Sequence, residues 1–584
     1  MTIPALRWFA SLCAAALLTF APSASAQTGK RAEGLWSGVL TISSSLSLRI
    51  VVEITRQADG SLAGTLDSPD QDSFGAPLAA IEASDTALAF TLPVAGASYA
   101  ATWSSEADGW LGTFTQGAQS WPLTLRQLDP EQRPQRSALP AEWQIPATDV
   151  LTPLLARRIA ARPGAGFVLG ISENGARRIV TAGPEGSPEF DGDTVFEIGS
   201  ITKVFTALLL ADMTLKGEVA LDDPVETYLP AGARMPRGAS GTEITLRHLS
   251  LQTSGLPRLP DNMPYGDPAD PYADYTEAML LDFLANFELP REVGAHYEYS
   301  NLGVGLLGYA LARAAGTDYV NLVRERILDP LGMDDTAIAL NADMQAHFAV
   351  PHDEYLRAAK PWNMSVLVGA GGLRSTASDM LTFAEAAMDP ASPIGEAMAL
   401  TLSERTDQIT TDYQTALGWF ILPAPGGEVL NHSGGTGGFR SHLAVQPAAR
   451  RAVVSLTNAA AEPSAPDLAF HALLGTPVVP EADIPPAPEP APEREEMSLS
   501  REQLAPLVGT YRMANNARLI ITREGDQLFA QLTSQPAFPI FAEGPRAFFL
   551  KVVDARLVFT GEGETITGVT LYQNGAEVPF ERID

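Results

Sequence analysis

Cysteine is almost absent from this chain of 584 residues: Cys13 is the only one. Beyond that position the molecule can have no disulfide framework, no cysteine-rich metal site and no thiol nucleophile. Histidine is scarce too, with seven residues. His248, His296, His347, His352, His442 and His471 show neither a His-Glu-x-x-His motif nor any other metal-ligand spacing. No metal or other cofactor is implied. Basic residues are outnumbered, 39 Lys and Arg against 69 Asp and Glu, for a formal net charge of -30. That potential repels phosphate backbones and anionic headgroups, so nucleic acid is not an expected partner. Long apolar runs are missing beyond the N-terminus, where no stretch approaches the roughly 20 residues of a membrane span. No stable membrane anchor is expected.

What is present is ordinary globular material, 45% hydrophobic and 18% charged. The length exceeds the roughly 250 to 300 residues that one core supports, so several domains are expected. Residues 1–26 read as a signal peptide, with Arg7, an apolar run from Trp8 to Ala21, and Ala24-Ser25-Ala26 ahead of Gln27. Leu12 before Cys13 is not the small residue of a lipoprotein signal. Export to the periplasm or the cell exterior follows as an expectation. Residues 33–128 read as a small all-β domain, with strands at Leu48 to Ile54, Ser61 to Leu66, Ala87 to Leu92, Ser98 to Trp103 and Trp110 to Thr115. Residues 147–475 combine helical periods with glycine-rich turns. The Pro-, Ala- and Glu-rich stretch 476–497 reads as an extended linker. Residues 498–584 return to short strands. The two β units share Ile-Thr-Arg at Ile54-Thr55-Arg56 and Ile521-Thr522-Arg523, followed in each by Gly and Asp. Duplication is one explanation, and the turn chemistry common to all meanders is another. Duplication requires the same strand order in both.

The strongest local signal is Phe196-Glu197-Ile198-Gly199-Ser200-Ile201-Thr202-Lys203, followed by apolar residues at helical spacing. Three residues apart in a first helical turn, Ser200 and Lys203 fall on one face, about 5–6 Å apart at Cβ. A serine hydroxyl becomes a nucleophile when a neighbouring base takes its proton, and a desolvated lysine can be that base. A capping serine beside an ordinary lysine would read the same way, so the motif alone decides nothing. Two further motifs follow in order: Tyr299-Ser300-Asn301, and His432-Ser433-Gly434 inside a glycine-rich run.

Ser-x-x-Lys, Tyr-x-Asn and His-x-Gly in this order resemble the serine β-lactamase and penicillin-binding-protein family, with its class C β-lactamases, D,D-peptidases, D-aminopeptidases and esterases. Ile244 to Leu249, Thr253 to Pro257 and Gly371 to Thr376 add to the likeness. The resemblance implies an α+β fold: an antiparallel sheet flanked by helices, meeting an all-α region, with the site between them and small barrel-like β domains on either side. It implies Ser200 as nucleophile, Lys203 as the group that takes or holds its proton, and Tyr299 as general acid/base. Asn301, His432 and Gly434 would bind substrate, and the backbone N–H groups of Ser200 and Gly435 would form the oxyanion hole. The C-terminal unit, with Val508-Gly509-Thr510-Tyr511, resembles the lipocalin-like domain appended to such hydrolases.

Position 432 departs from the pattern. β-Lactamases and carboxypeptidases of the family usually have lysine there, a permanent cation, whereas a histidine is mostly neutral at pH 7. The expected function is therefore a secreted serine hydrolase acting on small esters, amides or D-amino-acid peptides through an acyl-enzyme. A β-lactamase or D,D-carboxypeptidase is the alternative. A catalytically silent peptide-binding protein, or a scaffold resting on the two β domains, is the reading from another class. Oligomeric state is open.

Overall fold

The structure is a computed structural model that describes residues 30–583 apart from 44–45, 70–72, 117–118, 135–137, 161, 163, 184–189, 265–266, 268, 407–412, 462–464, 479–493, 513–517, 533–536, 552–554, 564 and 574–575. The export segment read at 1–26 and most of the linker read at 476–497 lie outside the described residues.

The first unit is a nine-stranded antiparallel meander running from Gly34–Ser43 to Gln119–Gln127, and its first strand pairs with its last. The sequence reading found five of these strands. Gly34–Ser43, Ser73–Pro77, Ala79–Ala83 and Gln119–Gln127 were missed, the middle two because the strand is broken at Leu78, which donates its N–H to Gly64 O at 2.9 Å. Trp36, Trp103 and Trp110 meet edge to face inside this unit, an arrangement aromatic rings prefer to a face-to-face sandwich.

The last unit is a closed eight-stranded barrel from Gly509–Arg512 to Ala576–Arg582, again sequential, with first paired to last. Counting the broken strand once, the two units agree strand for strand. The agreement extends to register, since Gly34 faces Ile54 and Gly509 faces Ile521. A 3-10 turn precedes each glycine, Lys30–Ala32 and Ala505–Leu507. The aromatic two residues after each glycine donates back to that turn, Trp36 Nε1 to Ala32 O at 2.9 Å and Tyr511 OH to Leu507 O at 2.8 Å.

Between them lies an α+β unit. Its antiparallel sheet runs in the spatial order Ala176–Ala182, Phe167–Glu173, Arg451–Thr457, Arg440–Gln446, Val429–Gly435, Phe420–Leu422, Gln414–Thr415. Side chains alternate across a strand, so Phe167, Leu169 and Ile171 pack under the helices Thr148–Ala160 and Ala465–Leu474, while Val168 joins the core on the opposite face. On that opposite face lies the helix Thr202–Leu215, apolar nearly all round and buried except at Asp212, Thr214 and Leu215. A helix with no polar stripe belongs inside a protein. It carries the Ser-x-x-Lys motif at its start, with helical segments on one side and the interior strands Val429–Gly435 and Arg440–Gln446 on the other.

Candidate active site

The motif is a turn leading into a helix, as its sequence reads, with the boundary falling inside the motif. Gly199–Ile201 is a 3-10 turn and the α-helix begins at Thr202, so Ser200 sits in the turn and Lys203 in the helix. Gly199 has φ +50°, in the left-handed region that favours glycine. A Cβ there would lie 2.6 Å from Gly435 N, and one on Gly434 would overlap Ile198 O. The serine turn and the strand Val429–Gly435 thus touch backbone to backbone, and Ser441 Oγ donates to Ile198 O at 2.8 Å across the same seam.

Lys203 is 1% exposed. Its Nζ donates to Ser200 Oγ at 3.0 Å, to Asn301 Oδ1 at 2.9 Å and to Ala370 O at 2.6 Å, three acceptors for the three protons of an ammonium. Satisfying all three is what makes burying the charge tolerable. Ala370 ends the segment Ser365–Ala370, which Thr206 ties to the same helix through Gly369 O at 2.7 Å.

Asn301 is the first residue of the helix Asn301–Ala314. The preceding Ser300 caps that helix, accepting from Gly303 N at 2.8 Å and donating to Pro257 O at 2.6 Å. Asn301 N donates to Arg258 O at 3.0 Å, and its Nδ2 donates to Tyr272 OH at 3.0 Å, which turns Oδ1 toward Lys203.

Just before this cap, the ring of Tyr299 has Lys203 Nζ at 4.9 Å from its centroid, Arg258 Cζ at 5.1 Å and the His432 ring at 6.4 Å. His432 donates from Nδ1 to Ser433 O at 2.7 Å, an assignment that follows from the carbonyl being an acceptor only and leaves Nε2 with a lone pair. Burial, with Lys203 beside it, lowers its pKa to about 3, so the ring is neutral. Lys203, Ser250, Gln252, Tyr299, Trp419 and His432 line a cavity of about 20 Å³, room for about one water. Ser250 Oγ and Trp419 Nε1 have no hydrogen-bond partner among the described residues.

All the residues singled out from sequence therefore fall in one place: Ser200, Lys203 and Asn301 in direct contact, Tyr299 and His432 around them, Gly434 and Gly435 against the serine turn. Four participants were missed. Ala370 acts through a backbone carbonyl and Tyr272 through a contact 29 residues from Asn301, neither of which leaves a motif. Glu197 and Arg374 lie within quoted motifs but were given no role. They form a buried pair at 2.9 Å between the short strands Phe196–Glu197 and Arg374–Ser375. Burial pushes the Glu197 carboxyl up while Arg374 pulls it down. Glu197 also accepts from Trp362 N at 2.9 Å, fixing the floor beneath the turn. No group of residues able to hold a metal ion occurs among the described residues, and no helix among them is long and apolar enough to cross a membrane.

Residues 155–476 match the family model described as Beta-lactamase, and residues 493–582 match a domain of unknown function, DUF3471. The chain is similar to the D-alanyl-D-alanine-carboxypeptidase/endopeptidase AmpH of Escherichia coli (strain K12), 32% identical over 271 residues, which cover 44% of this chain and 68% of that protein. It is also similar to Penicillin-binding protein 4* of Bacillus subtilis (strain 168), 24% identical over 413 residues, covering 66% of this chain and 87% of that protein. Among solved structures, a class C beta lactamase from Rhodobacter sphaeroides is 27% identical and covers 56% of this chain and 99% of its own, with a TM-score of 0.47.

Proposed function

The chain belongs to the Beta-lactamase family of serine hydrolases, and on that premise we propose that it is an exported enzyme that cleaves small esters, amides or D-amino-acid peptides through an acyl-enzyme on Ser200. The observation that carries the proposal is Lys203 Nζ at 3.0 Å from Ser200 Oγ in a buried, fully hydrogen-bonded setting. Ser200 Oγ attacks the carbonyl carbon, and its proton passes to the Tyr299 oxygen, which acts as base in its phenolate form with the Lys203 ammonium beside its ring. The new oxyanion takes hydrogen bonds from the backbone N–H groups of Ser200 and Gly435, donors that need no reorganisation during the reaction. Tyr299 returns the proton to the leaving oxygen or nitrogen, and water then reacts with the acyl-enzyme by the same route in reverse. Asn301 holds Lys203 in place, while His432 and Gly434 form the wall along which substrate lies.

Esters and peptides are ranked above β-lactams on the departure at His432, where the third motif lacks the lysine usual in β-lactamases, so any carboxylate recognition falls to other groups of the site. A ring with a pKa of about 3 carries no charge at neutral pH and offers a carboxylate no ionic partner. A D-alanyl carboxypeptidase is the second reading, favoured by the likeness to AmpH. We read the C-terminal barrel as lipocalin-like and the two β units as products of duplication, which their common strand order and paired registers support.

Intact-mass spectrometry and turnover with nitrocefin, p-nitrophenyl butyrate and a D-alanyl peptide test the proposal in wild type and Ser200→Ala. Turnover and adduct should both vanish in Ser200→Ala, and the substrate turned over names the class. A folded wild-type protein that forms no adduct and turns over none of the three is instead the silent binding protein.

A further inference from the structure

The wall at His432 is neutral, yet the site is not without a spare positive charge. Arg258 lies in the loop after the helix Leu246–Ser250, its guanidinium carbon 5.1 Å over the ring of Tyr299. It makes no hydrogen bond or ion pair with any described side chain, unlike the other cations nearby. Arg291 is paired with Glu298 and Arg374 with Glu197. Arg440 donates to Thr436 O and Phe439 O, and Lys203 faces Ser200, Asn301 and Ala370. Arg291 and Arg374 each leave an Nε without a hydrogen-bond partner, but both face a carboxylate, whereas no carboxylate or carbonyl among the described residues faces the partly exposed Arg258 guanidinium.

We propose that Arg258 is the anion-recognition residue of this site, so that favoured substrates carry a carboxylate beside the scissile bond. The inference rests on the acyl-transfer reading and narrows its substrate class. A guanidinium resting on an aromatic face keeps its N–H edge available, and that edge matches the two oxygens of a carboxylate. Its position does not depend on the side chain: Arg258 O accepts from Asn301 N at 3.0 Å and Leu302 N at 3.2 Å, and Pro257 O accepts from Ser300 Oγ at 2.6 Å. The residue is thus pinned at the start of the helix that carries Asn301, one step from Tyr299. Arg258 also reaches Tyr297, where it pulls against the burial that raises that phenol. The charged and titratable groups around Tyr299 are then Lys203, Arg258, neutral His432 and Tyr297, with Glu298 neutralised by Arg291. The net charge of -30 repels anions at a distance, and a local cation is the device that would still hold one at the reacting centre.

The test compares an N-acyl-D-alanyl D-lactate depsipeptide, whose carboxylate adjoins the scissile ester, with its methyl ester, in wild type, Arg258→Gln and Arg258→Lys. The ratio of kcat/KM for the acid over the methyl ester should fall roughly 10- to 100-fold in Arg258→Gln, mainly through KM, and recover in part in Arg258→Lys. Dissociation constants for the same two compounds in Ser200→Ala and Ser200→Ala/Arg258→Gln should show the same loss for the acid. An unchanged ratio, in kinetics or in binding, overturns the proposal. So does a parallel fall for both substrates with the pH–rate limb displaced upward, because Arg258 would then act on Tyr299 and not on substrate. A wild-type enzyme that turns over neither ester refutes the acyl-transfer reading, while the binding measurements still decide the role of Arg258.

Discussion

Gly199→Ala is the substitution that most directly examines how the site is assembled. Two independent penalties meet at this residue. Its φ of +50° costs a residue with a Cβ about 1–2 kcal/mol. The new methyl would also sit 2.6 Å from Gly435 N, so the glycine-rich strand or the serine turn must retreat by about 0.8 Å to reach an ordinary contact of 3.4 Å. The strand cannot yield elsewhere, since Gly434 is pressed on Ile198 O and Ser441 holds that carbonyl at 2.8 Å. The displacement therefore falls on the two N–H groups read as the oxyanion hole. Misplacement by about 1 Å costs on the order of a hundredfold in rate, and outright loss of one donor costs about 3 kcal/mol. The expected result is a folded protein, destabilised by about 1–3 kcal/mol, with kcat for p-nitrophenyl butyrate down about a hundredfold and KM little changed. Thermal unfolding and steady-state kinetics on one preparation measure both. A kcat within about threefold of wild type, in a protein whose unfolding shows the strain, would refute the claim that this seam builds the catalytic geometry.

Two further outcomes follow from buried titratable groups. Asp379 accepts from Asp335 N at 3.0 Å and Thr336 Oγ1 at 2.7 Å, yet burial raises its pKa from 3.8 to about 6. The folded state thus holds its proton more tightly than the unfolded chain, and the buried charge costs about 3 kcal/mol at pH 7.5, a cost relieved as pH falls from about 6 toward 3.8. Asp379→Asn should lessen that part of the pH dependence, read as urea midpoints at pH 7.5 and 5.0; identical dependence in both proteins would contradict the assignment. His432, with its pKa lowered to about 3, should contribute no limb to the kcat/KM profile between pH 4.5 and 8. The profile of His432→Asn should run parallel to wild type there, and a limb near pH 6.5 that vanishes in the variant would show that His432 titrates during catalysis.

The sequence was most informative where chemistry demands particular side chains at short range. Ser200 and Lys203 lie one turn apart, and Tyr299 and Asn301 straddle the cap of one helix, so each motif is local. The central sheet was harder to see. Its strands are covered on both faces, as Phe167, Leu169 and Ile171 on one side and Val168 on the other attest. Such strands read as unbroken apolar runs that periodicity cannot separate from buried helix. The strand pair Phe196–Glu197 with Arg374–Ser375 is two residues long on each side and joins positions 177 apart, too short and too distant for any pattern. Ala370 is invisible for a different reason, because its contribution is a carbonyl that every residue possesses.

The placement of charge explains how one scaffold can serve different substrates without losing its chemistry. The groups proposed to handle the proton are held by neighbours: Lys203 by Asn301 and the Ala370 carbonyl, Asn301 by Tyr272 and the Arg258 carbonyl, the serine turn by backbone contact with Gly434 and Gly435. None of these contacts uses the His432 imidazole or the Arg258 guanidinium. Those two side chains both lie beside Tyr299, one on a strand and one on a loop, and each can change character while the hydrogen bonds around Lys203 stay intact. A histidine in place of a lysine on the strand would therefore leave the contacts of Lys203 and Ser200 unchanged and alter only the wall beside them. With the strand neutral, the cation without an acceptor among the described residues stands on the loop wall, and under the proposal above the charge that selects substrate sits there, apart from the groups that would cleave it.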